Sequence, residues 1–130
     1  MSAQTLTPVA WESSVVVDEN GDHRIVFEAT MDKNWVIYSQ HTKPDGPIPT
    51  EFIIETEGIE LIGEVEEITK PKTEISEMFE IEVSKFSEKA TFSQKFKPKG
   101  AKTVKANVTF MTCDNLRCIP PTTVDFEIKL

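Results

Sequence analysis

The residues best able to do chemistry are two sulfurs. Cys113 and Cys118 are the only cysteines in the 130-residue chain, and four residues separate them in the run VTFMTCDNLRCIPPTTV, positions 108–124. Alternating apolar residues enter and leave this run, so it reads as a hairpin whose tip brings the sulfurs together. Such a pair admits three chemistries. The first is a structural disulfide, although a bridge over so short a loop adds little stability, because the loop-entropy term grows with loop length. The second is a metal site. Two cysteines make half a zinc site, and His23 and His41 stand in other loops without ligand spacing. Soft copper binding would recruit Met111 or Met78, and no metal is expected. The third is thiol–disulfide exchange, since an accessible short-loop disulfide is of the labile kind and the thiolate is the attacking species.

The sulfurs differ in their charged neighbours. Arg117 precedes Cys118 and favours its thiolate, whereas Asp114 follows Cys113 and opposes ionisation there. Charge alone therefore makes Cys118 the better nucleophile. Pro120 and Pro121 come next in the chain. Proline fixes φ and donates no backbone hydrogen bond, so the pair shapes the hairpin exit, stiffens it and blocks strand pairing beside the second sulfur.

The elements that position this hairpin follow a period of two. Strands are expected over 11–17, 24–30, 34–40, 51–55 and 59–65, with turn chemistry at Asn20-Gly21 between the first two. Trp35 and Tyr38 on the third strand are able to face a pocket. Residues 41–49 form a loop, because Pro44, Gly46, Pro47 and Pro49 leave no regular element. Residues 69–78 also read as loop. Phe79, Ile81 and Val83 then alternate with Glu80, Glu82 and Ser84, as on a half-buried strand. Ala90, Phe92 and Phe96 share a parity on the next segment. Val104, Ala106, Val108 and Phe110 share one face of the strand entering the cysteine loop, and Val124, Phe126, Ile128 and Leu130 one face of the strand leaving it. No helix, repeat or linker is read. Roughly eight to ten short strands with polar turns imply an all-β chain, an immunoglobulin-like β-sandwich forming a single domain over residues 1–130.

Composition narrows the partners. Fourteen basic and 22 acidic residues give a formal net charge of −8, which repels a phosphate backbone and argues against nucleic acid. Residues 51–88 concentrate the acid, with twelve carboxylates against three lysines, and read as a solvated acidic surface. No apolar run reaches the ~18 residues of a membrane span. The first eight residues lack the apolar core of a signal peptide.

The cysteine-to-proline string resembles the N-terminal periplasmic domain of the thiol:disulfide interchange protein DsbD, a family with an immunoglobulin-like sandwich and a cysteine pair on a hairpin. Trp35-Val-Ile-Tyr38 is similar to its aromatic strand beside the active site. Glu77-Met78-Phe79-Glu80 lies where the family places a cap loop whose ring covers the cysteines. The chain departs from the best-known member in a shorter cysteine spacing and in the cap sequence itself. The resemblance implies that Phe79, with Met78 as competitor, shields the pair beside Tyr38 and Trp35. It implies that Cys118 attacks partner disulfides and Cys113 resolves the mixed disulfide, with no bound cofactor. It also implies an extracytoplasmic, periplasmic location, a monomer, and thioredoxin-fold proteins as electron donor and acceptors, in the manner of a protein-disulfide reductase. The competing expectation is a non-catalytic β-sandwich that binds a protein or carbohydrate and carries a structural hairpin disulfide. Its motivation is the acidic surface and the lack of any other catalytic constellation.

Overall fold

The computed structural model describes residues 7–130. Ten strands form along the chain: β1 Val9–Val17, β2 His23–Met31, β3 Val36–Tyr38, β4 Glu51–Ile54, β5 Ile59–Glu67, β6 Lys72–Ile75, β7 Glu82–Ser87, β8 Lys89–Pro98, β9 Thr103–Cys113 and β10 Cys118–Lys129. One sheet runs β1-β2-β8-β5 and the other β10-β9-β3-β7-β6, with β4 also paired to β9. All pairings are antiparallel. The two sheets pack face to face as the expected immunoglobulin-like sandwich, and no helix occurs among the described residues.

The core follows from strand alternation. Ile25, Phe27 and Ala29 of β2 and Ala90, Phe92 and Phe96 of β8 point inward from one sheet. Ile37, Phe86, Val104, Ala106, Val108, Phe110, Phe126 and Ile128 meet them from the other. Rings dominate the middle: Phe92 lies 4.9 Å from Phe52, 5.4 Å from Phe86 and 5.9 Å from Trp11, centroid to centroid. Gln94 shares the inward parity of Phe92 and Phe96 and is almost fully buried. A bulge in β5 places residues 63–65 opposite it, and its amide donates to the carbonyls of Ile62 (3.2 Å) and Gly63 (3.1 Å) that the bulge leaves free.

Three segments depart from the sequence expectation. The third strand is only Val36–Tyr38. The stretch 69–78, expected as loop, contains β6, a polar strand that carries no apolar alternation to announce it and is held by pairing with β7 and by the Lys85–Glu74 ion pair. The strand expected from Phe79 begins only at Glu82. Residues 77–79 turn instead, because Ser76 accepts the Phe79 N–H on its hydroxyl (3.1 Å) and the Glu80 N–H on its carbonyl (2.8 Å), with Glu80 at φ 58°.

β9 and β10 meet in a tight turn. The Asp114 N–H donates to the Arg117 carbonyl (2.9 Å), and Asp114 Oδ1 accepts the N–H groups of Leu116 and Arg117, each at 2.8 Å. These backbone donors, first that of Leu116, hold the Asp114 carboxyl below its ordinary pKa, and the Arg117 charge adds to them. Its stabilisation of the turn is therefore complete above the unfolded carboxylate pKa of about 3.9 and is lost as pH falls through the lower folded value.

Two outcomes follow from this packing and turn. Phe92→Ala should cost about 3–5 kcal/mol of unfolding free energy, read by urea denaturation. Hydrogen exchange of the Leu116 and Arg117 amides should accelerate relative to the β9–β10 ladder as pH drops below about 4, after correction for intrinsic rates, and Asp114→Ala should show that acceleration already at neutral pH.

Candidate functional site: a cross-strand disulfide under a two-loop cover

Cys113 and Cys118 are bonded to each other and sit directly opposite across β9 and β10, with Cα atoms 4.0 Å apart. Because the adjacent Asp114–Arg117 pair carries a cross-strand hydrogen bond, the cysteines occupy the neighbouring non-hydrogen-bonded position, where antiparallel side chains approach most closely. On β9, Val108, Phe110 and Thr112 point to the core, so Cys113 points to the opposite, outer face. On β10, Val124, Phe126 and Ile128 point inward, and simple alternation would send Cys118 inward with them. The register shift between Ile119 and Thr122 prevents this. Pro120 and Pro121 together face the single residue Met111, a bulge that turns Ile119 toward the core and Cys118 outward, beside Cys113.

The sulfurs therefore belong to a second, small apolar cluster on the outside of the sheet. Tyr38, Val83 and Cys113 are its buried members, with Val36, Phe79, Ile81, Met111 and Cys118 packed against them. Val36 and Tyr38 are brought there by β3, which pairs with β9 at Val36↔Cys113. The Phe79 ring meets Tyr38 edge-on at 6.3 Å. Cys113 is 2% exposed, while Cys118 is only half-buried. Met78 reaches over it, its Sδ 3.5 Å from Cys118 Sγ, a van der Waals contact because the disulfide has no thiol proton to donate. Burial pushes the Tyr38 hydroxyl up to about 12, so this wall of the site stays neutral at physiological pH.

The cover has a second part that sequence reasoning missed. The proline-rich loop after β3 folds back over the turn at 77–79. A β-carbon on Gly46 would lie 2.9 Å from Ile81 Cδ1 and 3.2 Å from Phe79 Cβ, and the Ile48 N–H points at Met111 Sδ at 3.5 Å. The density of Pro and Gly at 44–49 marked a loop but not what it touches. Trp35 lies elsewhere than the other aromatic candidates: it is buried in the main core, with the Arg117 guanidinium 5.8 Å above its ring. Arg117 also approaches Asp114, Nε to Oδ2 3.8 Å, so its charge is shared with a carboxylate. Sequence adjacency gave Cys118 this neighbour; the structure divides its attention. His23 packs edge-on against Phe96 and His41 is exposed, neither in the cysteine cluster.

Comparison with known proteins agrees with this geometry. The family model described as thiol:disulfide interchange protein DsbD, N-terminal, matches residues 3–130. No curated protein matches. Among solved structures, the N-terminal periplasmic domain of ScsB from Proteus mirabilis superposes with a TM-score of 0.71 at 15% identity, over 100% of this chain and 49% of that one. The chain thus spans about half the length of that relative. The reduced DsbD N-terminal domain of Neisseria meningitidis gives 0.66 at 15% identity, covering 93% and 86% of the two chains. A structure of the DsbD N-terminal domain in complex with the PilB N-terminal domain, also from Neisseria meningitidis, gives 0.57 at 12% identity, covering 90% and 80%. The fold, the outward-facing cysteine pair and the match along nearly the whole sequence converge: this chain belongs to the family of DsbD N-terminal domains, the thiol–disulfide exchange domains of thiol:disulfide interchange proteins.

Proposed function

We propose that the domain works in the periplasm as a two-electron relay of a protein-disulfide reductase, taking electrons from a thioredoxin-like donor and passing them to oxidised thioredoxin-fold partners. The observation that carries the reading is the unequal burial of two bonded sulfurs: Cys113 is sealed and Cys118 is reachable. A donor thiolate attacks Cys118 Sγ, forming a mixed disulfide and releasing Cys113 as thiolate. The donor's second thiolate breaks that bond and frees Cys118. In the outward half, the Cys118 thiolate attacks a partner disulfide, and Cys113 then attacks Cys118 Sγ, re-forming the internal bond and releasing the reduced partner. Each half moves two electrons through sulfur alone, so no cofactor enters.

Met78 and Phe79 serve as a cap that excludes small oxidants, and it must lift for a partner to reach Cys118. Tyr38 is the fixed wall beneath it, and Trp35 holds the hairpin tip from below through Arg117. Leu116 at the tip, 89% exposed, and Ile48 and Met78, each 43% exposed, give a docking protein apolar surface around the sulfur. A DsbD N-terminal domain solved in complex with a PilB domain and the periplasmic origin of the ScsB domain support the protein partner and the compartment. The domain acts as a monomer in this scheme.

Cys113→Ser should accumulate a mixed disulfide through Cys118 with an oxidised thioredoxin-fold protein, visible on a non-reducing gel and by mass. Cys118→Ser should not. The reverse pattern would invert the roles, and no adduct from either would remove the exchange reading. Gly46→Val should force the cover off the pair and raise the rate of reduction by a small thiol severalfold; an unchanged rate would deny the cap its shielding role.

A further inference from the structure

We propose that the reduced site is a copper(I) site in which the Cys113 and Cys118 thiolates and the Met78 thioether hold one ion. The inference rests on the exchange reading only in that the relay supplies the dithiol form. Three soft donors converge here. The two cysteines are directly opposed across the ladder, so their sulfurs stay neighbours when the bond between them is reduced, and the third sulfur already lies 3.5 Å from Cys118. Met78 reaches this position from an exposed turn with an unbranched, adaptable side chain. Met111 is in the same cluster, but its sulfur accepts the Ile48 N–H and is the poorer donor.

The donor set selects the metal. Thiolate and thioether ligands favour Cu(I), whereas zinc requires four ligands drawn from thiolate, imidazole and carboxylate. No group of three His, Cys, Asp or Glu stands together among the described residues, so zinc finds half a site while Cu(I) finds a trigonal one. The apolar side chains of Tyr38, Phe79, Ile81 and Val83 pack against the pair and limit water on its buried Cys113 side. A chain of net charge −8 also raises the local concentration of cations. Binding involves no electron transfer: two thiols release two protons and Cu(I) stays Cu(I), so affinity rises with pH. While the ion is held, both sulfurs are withdrawn from exchange.

The test is anaerobic competition of the reduced domain against the coloured Cu(I) complex of bicinchoninate. Reduced wild type should withdraw one Cu(I) per chain, and the disulfide form none. Met78→Leu, nearly isosteric and checked for folding by circular dichroism, should bind at least about tenfold more weakly, a loss typical even of an outer-shell partner. Met111→Leu should lose less. No withdrawal by the reduced protein, Met78→Leu binding as tightly as wild type, or Zn(II) displacing Cu(I) at equal concentration would overturn the proposal. Because the readout is metal transfer rather than exchange, failed trapping of a thioredoxin-fold partner with Cu(I) binding intact would count against the relay alone.

Discussion

A β-strand sends successive side chains to opposite faces, and a disulfide between neighbouring strands needs both sulfurs on one face. In this domain the strand that carries Cys118 must also carry Val124, Phe126 and Ile128 into the core, and the parity of those positions would place Cys118 inside. The two-against-one bulge at Pro120-Pro121 resolves the conflict by reversing the alternation. A strand register shifted by one residue exchanges its faces, and here that exchange is confined to the last turn of the hairpin. The core therefore keeps its apolar stripe while the redox pair faces outward. The bridge, its cover and the difference in exposure between the sulfurs all presuppose the bulge.

The cover is assembled from segments that carry little regular structure of their own. The 77–79 turn is fixed by Ser76 and by the positive φ of Glu80, and the proline-rich loop is pressed against it where Gly46 offers no side chain. Neither segment makes the dense backbone ladder that β9 and β10 share. A rigid hairpin beneath a lightly tethered cover is an arrangement in which access can change without moving the chemistry. The neutral Tyr38 wall adds an apolar contact surface and no charge.

Much of this was legible in the chain. Period-two alternation gave the sandwich, and the inward residues of β9 and β10 were identified from parity alone, except Leu130, which lies beyond β10 and is exposed. The cysteine spacing and the prolines located the site. What escaped had physical reasons. Phe79, Ile81 and Val83 alternate like a strand, yet the hydrogen bonds of Ser76 and the backbone of Glu80 bend the first part into a turn. β6 carries no apolar pattern, because its outer position in the sheet asks for none. Trp35 and Tyr38 are expected at one pocket, although three residues of alternation put them on opposite sides of the sheet, one in each cluster. Arg117 adjoins Cys118 along the chain, but in the fold it is shared between Asp114 and the Trp35 ring. The Gly46 contacts are long-range, and no local pattern encodes them.

β10 closes one end of its sheet, so its outer backbone faces no further strand of that sheet. An open edge is where one molecule can stack onto another and begin a fibril. Pro120 and Pro121 are both exposed on that edge, close to the half-buried Cys118. Each lacks an amide proton, and the bulge they form breaks the flat spacing that intermolecular β-pairing requires. The dipeptide that turns a sulfur outward thereby also makes the strand around it a poor template for self-association.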